Sequence, residues 1–188
     1  MPDNKHTPNP VAGSGVLEKG DITFNEYTAF PQVKALQEVV LRGFLSCRAD
    51  RVLALAAGLG DEDFPHHSHR MILHAIVEVA HGLVAAGEGD NVVILEVVQI
   101  ALRNAAVHTH GLMTTTLLNV TTGHPPAWHD LQQLCAELRM ETLRRALHGH
   151  GQALITAAQG PSDLLAPALD RAKQLQELAR RAGLGVIA

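Results

Sequence analysis

The sequence has few aromatic residues, although it has enough hydrophobic residues for a folded core. Aromatic side chains make up 3% of the 188 residues, whereas hydrophobic residues as a whole make up 46%. The core must therefore be built from leucine, valine, isoleucine and alanine. Such side chains, with few turn clusters that would bound strands, are typical of closely packed helices. We therefore expect an all-α protein.

Cysteine is also scarce. The two cysteines, Cys47 and Cys135, match no spacing that is typical of a metal site or a redox pair. Each lies in an apolar helical context, where a free cysteine behaves as a small buried hydrophobic side chain. We expect no disulfide, and a reducing cytoplasmic location is the simplest one.

No hydrophobic run is long enough to span a bilayer. The longest, from 92 to 102, is interrupted by Glu96 and Gln99. The first twenty residues are rich in proline, glycine and polar side chains, which differs from the apolar run of a signal peptide. The expectation is a soluble protein that makes no contact with a membrane.

An excess of positive charge is missing as well. The chain carries 15 basic and 19 acidic residues, which gives a net charge of -4. Nonspecific binding to nucleic acid needs clustered lysine and arginine to neutralise phosphates, and here the basic residues are scattered. No direct nucleic-acid binding is expected. The Gly-x-x-x-x-Gly-Lys-Ser/Thr phosphate loop of nucleotide-driven motors does not occur in the sequence either.

The chain divides into three parts by composition. Residues 1–30 contain proline and glycine without helical periodicity, which predicts a flexible arm. Residues 31–125 alternate apolar residues at helical spacing with glycine and proline breaks, which predicts a body of five helices. We expect Asp61 and Asp63 to cap the third helix through their carboxylates. The fourth is expected from Val92 to about Arg103.

Residues 126–188 predict a long antiparallel helical hairpin with a short tail. Gly160-Pro161 ends its first helix, and helices joined by so short a break run antiparallel. The first helix carries an apolar stripe of Leu131, Leu134, Cys135, Leu138, Thr142, Ala146 and Leu147. A hairpin that protrudes from a small body leaves such a stripe uncovered, so contact with another chain is the expected outcome.

Five short motifs follow one another along the chain. They are Glu38 to Leu45, Asp63-Phe64 with His69-Arg70 and Ile72, Leu83 with Gly87 followed by Val92, Ile94 and Leu95, Gly111 with Leu117-Leu118, and Leu134-Cys135 with Leu138-Arg139 and Arg145. In this order and spacing, the chain from Lys34 to Ala158 resembles the N-terminal domain of the replicative DNA helicase family DnaB. Pro65, Met113-Thr114 and Met140 depart from the family's usual residues.

The resemblance implies a compact helical body followed by a hairpin, in which Phe64 anchors a turn and His69-Arg70 begin a core helix. In the family these domains pair through their hairpins and form the collar of the helicase hexamer, where primase docks. It implies a noncatalytic, replication-associated module of the primosome, which forms a homodimer and binds helicase, primase or a related factor. The expected partner contacts are Leu131, Leu134, Leu138, Arg139, Arg145, Leu169 and Leu175.

The 12 histidines leave an alternative open, namely a His-dependent metal-binding or small-molecule enzyme on a helical scaffold. His66, His67, His69 and His74 lie close together in the sequence, but residues two apart on a helix point to different faces. A His-Glu-x-x-His arrangement with its general base is missing. Structural or solvent-exposed roles are therefore favoured, with no catalytic residue, no cofactor and no metal. We expect His69-Arg70 to bond to buried backbone carbonyls or to a nearby carboxylate.

Overall fold

Helices build all of the regular structure that a computed structural model describes for residues 31–93, 95, 98–99 and 110–185. In chain order they are α1 (Pro31–Phe44), α2 (Ala49–Ala56), α3 (His67–Ala85), α4 (His110–Thr121), α5 (Trp128–Gln159) and α6 (Leu165–Arg181). Two 3-10 turns, Asp61–Asp63 and Ser162–Leu164, precede α3 and α6. The all-α prediction is confirmed for these residues. The predicted arm and most of the predicted fourth helix lie outside them.

The end of α3 follows from a glycine. Gly87 has φ +78°, a left-handed conformation that side chains with a Cβ rarely adopt. Its N–H donates to the carbonyl of Val84, and the N–H of Glu88 donates to the carbonyl of Leu83 at 2.8 Å. These two bonds are the Schellman pattern that satisfies the last carbonyls of a helix. Helix α3 therefore ends just before Gly87.

The start of α3 differs from the prediction. Asp61 and Asp63 were expected to cap it, but they form a separate 3-10 turn, and α3 begins at His67 without a side-chain cap. The Oδ2 atom of Asp63 accepts a hydrogen bond from the N–H of Gly60 at 2.8 Å. The Asp63 carboxylate therefore caps the short turn that leads into Phe64, and the capping prediction for α3 is wrong.

The core lies where α1, α3 and the first half of α5 meet. Gly43 on α1 lets α5 approach closely, because a Cβ atom there would lie 2.6 Å from Cδ1 of Leu131. The fully buried large side chains include Val40, Leu41, Phe44, Phe64, Ile72, Ile76, Leu131 and Leu138. Since α5 supplies part of this core, the core and the hairpin share one helix, and the described residues from 31 to 185 belong to one compact unit.

The second half of α5 packs against α6. α5 is continuous over 32 residues, which corresponds to a length of about 48 Å. Gly149 and Gly151 lie inside the helix. Only Ala168 and Leu178 are buried in α6. Within the described residues, no helix combines the length and apolarity needed to cross a membrane.

Candidate partner-binding surface

Three of the predicted partner contacts lie at the base of the hairpin, on the first half of α5. Leu131 and Leu138 are 0% exposed and belong to the core. Leu134 is partly buried and packs against the same core. The body of the protomer covers this part of the stripe, because α1 lies directly against it. The placement of Leu131 and Leu138 on a partner-facing surface is therefore wrong.

The two predicted arginines also face the protein's own body. The guanidinium of Arg139 lies beside Gly58, where a Cβ atom would come within 2.6 Å of Nη1. The Nη2 atom of Arg145 donates to the carbonyl of Glu62 and to Oγ1 of Thr142, both at 3.0 Å. These contacts join α5 to the segment that carries the 3-10 turn. Both arginines therefore have structural contacts within the chain, and their partner-facing role stays a prediction.

A buried ion pair at the base of the hairpin was not predicted from the sequence. The side chain of Asp63 is 1% exposed, and its carboxylate pairs with the guanidinium of Arg181 at the end of α6. Arg181 also pairs with Glu62. The backbone carbonyl of Asp63 accepts a hydrogen bond from Nε2 of Gln37 at 3.1 Å. This network brings the end of α6 back to the body, so α5 and α6 run antiparallel as predicted.

Sequence reasoning missed this pair because its members are 118 residues apart. Arg180, the neighbour of Arg181, pairs instead with Glu177 one turn earlier on the exposed side of α6. The only signal was the position of Arg181 at the end of a predicted helix. That position also fits an arginine that merely complements a helix dipole.

The far end of the hairpin differs from its base. We call residues 146–169 the hairpin tip; Asp163 is its only Asp, Glu, Lys or Arg. Leu169, a predicted partner contact, is 65% exposed. Leu175, the other predicted contact on α6, lies outside the tip and is partly buried. The exposed large aliphatic residues of the tip are Leu147, Leu154, Ile155, Leu164, Leu165 and Leu169.

Of the three residues of the predicted motif, Phe64 and His69 are buried in the core. Phe64 is fully buried, as expected, and Arg70 lies half-buried in the first turn of α3. His69 is 1% exposed, but neither of its ring nitrogens has a hydrogen-bond partner. The nearest carboxylate oxygen, Oε1 of Glu38, is 3.8 Å from Nε2. The predicted hydrogen bond of His69 to a carbonyl or carboxylate is therefore wrong.

Burial governs the ionisation of this imidazole. Desolvation lowers the pKa of His69 to about 4, and the positive charges of His66 and Lys34 act in the same direction. His66 contacts the His69 ring edge-on, with the ring centroids 5.2 Å apart. Since an uncharged imidazole needs no counter-ion, His69 fits the core as a neutral aromatic side chain.

The other histidines of this segment do not converge on one point. His67 is exposed, whereas His74 lies further along α3 with its Nε2 atom 2.8 Å from Oδ1 of Asp61. Throughout the described part of the chain, no three His, Cys, Asp or Glu side chains are grouped so as to hold a metal ion. The arrangement of these residues does not favour the metal-enzyme alternative.

An open pocket lies between α2 and α3, away from the hairpin tip. Its volume is about 270 Å³, and we call it the α2–α3 pocket. Its lining is largely apolar, with the Asp61–His74 pair at its edge. Aliphatic lining residues include Leu53, Ala57, Leu59, Leu73 and Val77.

Comparisons of the chain with protein-family models, with curated proteins and with solved structures find no match. Among the described residues, two surface features bear on function, namely the hairpin tip and the α2–α3 pocket.

Proposed function

We propose that this protein is a noncatalytic protein-interaction module associated with DNA replication. In this proposal it self-associates through the hairpin tip and binds a replicative helicase, a primase or a related factor. The observation that carries the proposal is the hairpin tip, in which six large aliphatic residues are exposed and only one residue, Asp163, carries a formal charge.

The composition of the tip suits an interface better than a solvated surface. Exposed helices of soluble proteins ordinarily carry charged residues on their outer face. The centres of protein interfaces are depleted of charged residues, and contiguous exposed apolar patches mark binding sites. The 17 residues from Ala146 to Ser162 include no Asp, Glu, Lys or Arg. Burial of this region against another chain would remove apolar surface from water without desolvating charges of its own.

The class of partner comes from the resemblance to the DnaB N-terminal domain. In that family the hairpin is the element through which domains pair, and the collar is where primase docks. The same element in this chain carries the exposed leucines. Because Leu131 and Leu138 lie in the core, the proposal places the contact on the outer half of the hairpin, around Leu165 and Leu169.

Light scattering across a concentration series tests the self-association. The wild-type protein is expected to form dimers or larger species, and Leu169→Asp is expected to shift it to monomers. Leu118→Asp is the matched control, because Leu118 on α4 is 64% exposed and lies outside the tip. A wild-type protein that stays monomeric at high concentration would contradict this part of the proposal.

Co-sedimentation with the replicative helicase and primase of the same cell tests the partner class. Wild type and Leu118→Asp are expected to bind at least one of the two, whereas Leu169→Asp is expected to bind neither. If the folded wild-type chain binds neither protein, the replication-associated role is wrong, even where the chain self-associates.

A further inference from the structure

We propose that the hairpin tip of one copy docks into the α2–α3 pocket of a second copy. This inference rests on the proposed self-association and names the surface that receives the tip. It predicts a contact between two different surfaces, in contrast to a pairing of two tips.

The size of the pocket fits the side chains that α6 presents. Leu165 and Leu169 are four residues apart, so they lie on the same face of α6, and both are exposed. An apolar cavity of about 150 Å³ is enough to bind benzene. The α2–α3 pocket, with about 270 Å³ and aliphatic walls, therefore has room for two leucine side chains.

The charges beside the two surfaces are complementary. Lys173 follows Leu169 by four residues on the same face of α6, and its side chain is 84% exposed. At the pocket, Asp61 lines the edge, and Glu78 is exposed one turn after His74 on α3. With the two leucines in the pocket, Lys173 comes close to this acidic edge. The Lys173–Asp170 pair within α6 is exposed, so little free energy is lost when the ammonium changes partner.

Neither surface is satisfied within one protomer. Leu169 is 65% exposed, and the pocket is open to solvent. The end of α6 is held at the body by the pair of Arg181 with Asp63, so the tip points away from the base. A second copy can cover both surfaces, because its pocket receives the tip of the first copy and its tip enters the pocket of another copy.

A mixture of two variants that are each expected to lose self-association tests this arrangement. Leu169→Asp places a charge on the docking face of the tip and leaves the pocket unchanged. Ala57→Arg places a long side chain in the pocket and leaves the tip unchanged. Each variant alone is expected to be monomeric in light scattering. Their equimolar mixture is expected to form heterodimers, because an intact tip then meets an intact pocket. Circular dichroism of each variant is the control that the helices are still formed.

The outcomes separate this inference from the proposed function. If Ala57→Arg alone associates as tightly as wild type while Leu169→Asp does not, the tip binds a surface other than the pocket and the inference is overturned. The same holds if the mixture stays monomeric. If wild type itself is monomeric, the proposed self-association fails first.

A charge exchange supplies a second readout that does not depend on filling the pocket. Lys173→Glu is expected to raise the dissociation constant about tenfold, which corresponds to roughly 1.4 kcal/mol. The double variant Lys173→Glu/Glu78→Lys is expected to recover most of this loss, because the tip and the pocket of every copy then carry exchanged charges. No recovery in that double variant would contradict the docking of Lys173 beside Glu78.

Discussion

His69 is a buried imidazole without a hydrogen-bond partner, and this makes the stability of the protein depend on pH. Its pKa in the folded protein is about 4, below the ordinary value of 6.5. Between these two values the unfolded chain binds a proton that the folded chain excludes. The free energy of unfolding should therefore fall as the pH is lowered from about 6.5 to about 4, by at most roughly 3 kcal/mol.

Urea unfolding followed by the fluorescence of Trp128 measures this dependence in wild type and in His69→Met. Trp128 is the only tryptophan, and it lies against Arg51, whose guanidinium is 4.9 Å from the ring centroid. The stability of His69→Met should fall less over the same pH range, because methionine does not titrate. An equal decrease in both proteins would show that other groups cause it.

The same substitution at two leucines of the hairpin should have very different effects. Leu138→Ala removes a fully buried side chain from the core and is expected to cost about 2–5 kcal/mol. Leu169→Ala removes an exposed side chain and should change the stability of the monomer by no more than about 0.5 kcal/mol. Urea unfolding at low protein concentration measures both. Equal costs at the two positions would contradict the division of the hairpin into a covered base and an exposed tip.

At the scale of the element, the ion pair between α6 and the 3-10 turn holds the hairpin to the body. Arg181→Met leaves the buried carboxylate of Asp63 without its counter-ion, which is expected to cost about 3–5 kcal/mol. Urea unfolding measures this loss, and limited proteolysis reports the release of α6. Arg180→Met is the control, since its pair with Glu177 is exposed, and it should change neither.

Replacement of two glycines inside α5 should increase the stability of the protein. A Cβ atom at Gly149 or Gly151 would meet nothing within 4 Å, and both residues are helical. Gly149→Ala and Gly151→Ala should therefore each stabilise the protein by about 0.5–1 kcal/mol. Gly43→Ala should destabilise it, because a Cβ atom there would collide with Leu131. Thermal unfolding measures all three, and a decrease at Gly149 or Gly151 would indicate a strain that the helix geometry does not show.

The helices were largely predictable from the sequence, whereas the surfaces that each helix packs against were not. Apolar residues at helical spacing predicted helices within residues 31–125, and Gly160-Pro161 predicted the end of α5, because these signals are local. Whether a stripe on α5 faces its own body or a partner depends on residues far away in the chain. Leu131 and Leu138 are buried because α1, which is about ninety residues earlier in the chain, packs against this part of α5.

At the scale of the whole molecule, one helix joins the core to the hairpin. Since α5 runs through both, we expect residues 31–188 to unfold as one cooperative unit. Trp128 fluorescence and far-ultraviolet circular dichroism should give the same urea midpoint. Two separate midpoints would indicate that the outer hairpin unfolds on its own.

The class of fold followed from composition, whereas the candidate surfaces required coordinates. Few aromatic residues and many small aliphatic ones were enough to predict an all-α protein. The α2–α3 pocket has no signature along the chain, because its walls come from α2 and α3 and from the turn at Asp61. Leu169 is exposed, and its predicted role as a partner contact stays a prediction.

The separation of the hairpin tip from the core has a consequence for evolution. In the proposed assembly, substitutions near Leu169 on α6 would change what the hairpin tip contacts, while the side chains that hold the fold together, such as Phe64, stay as they are. New binding specificities would then arise by single substitutions without a prior gain in thermodynamic stability. Duplicated genes for such a chain would be free to diverge in whom they recognise long before they diverge in shape.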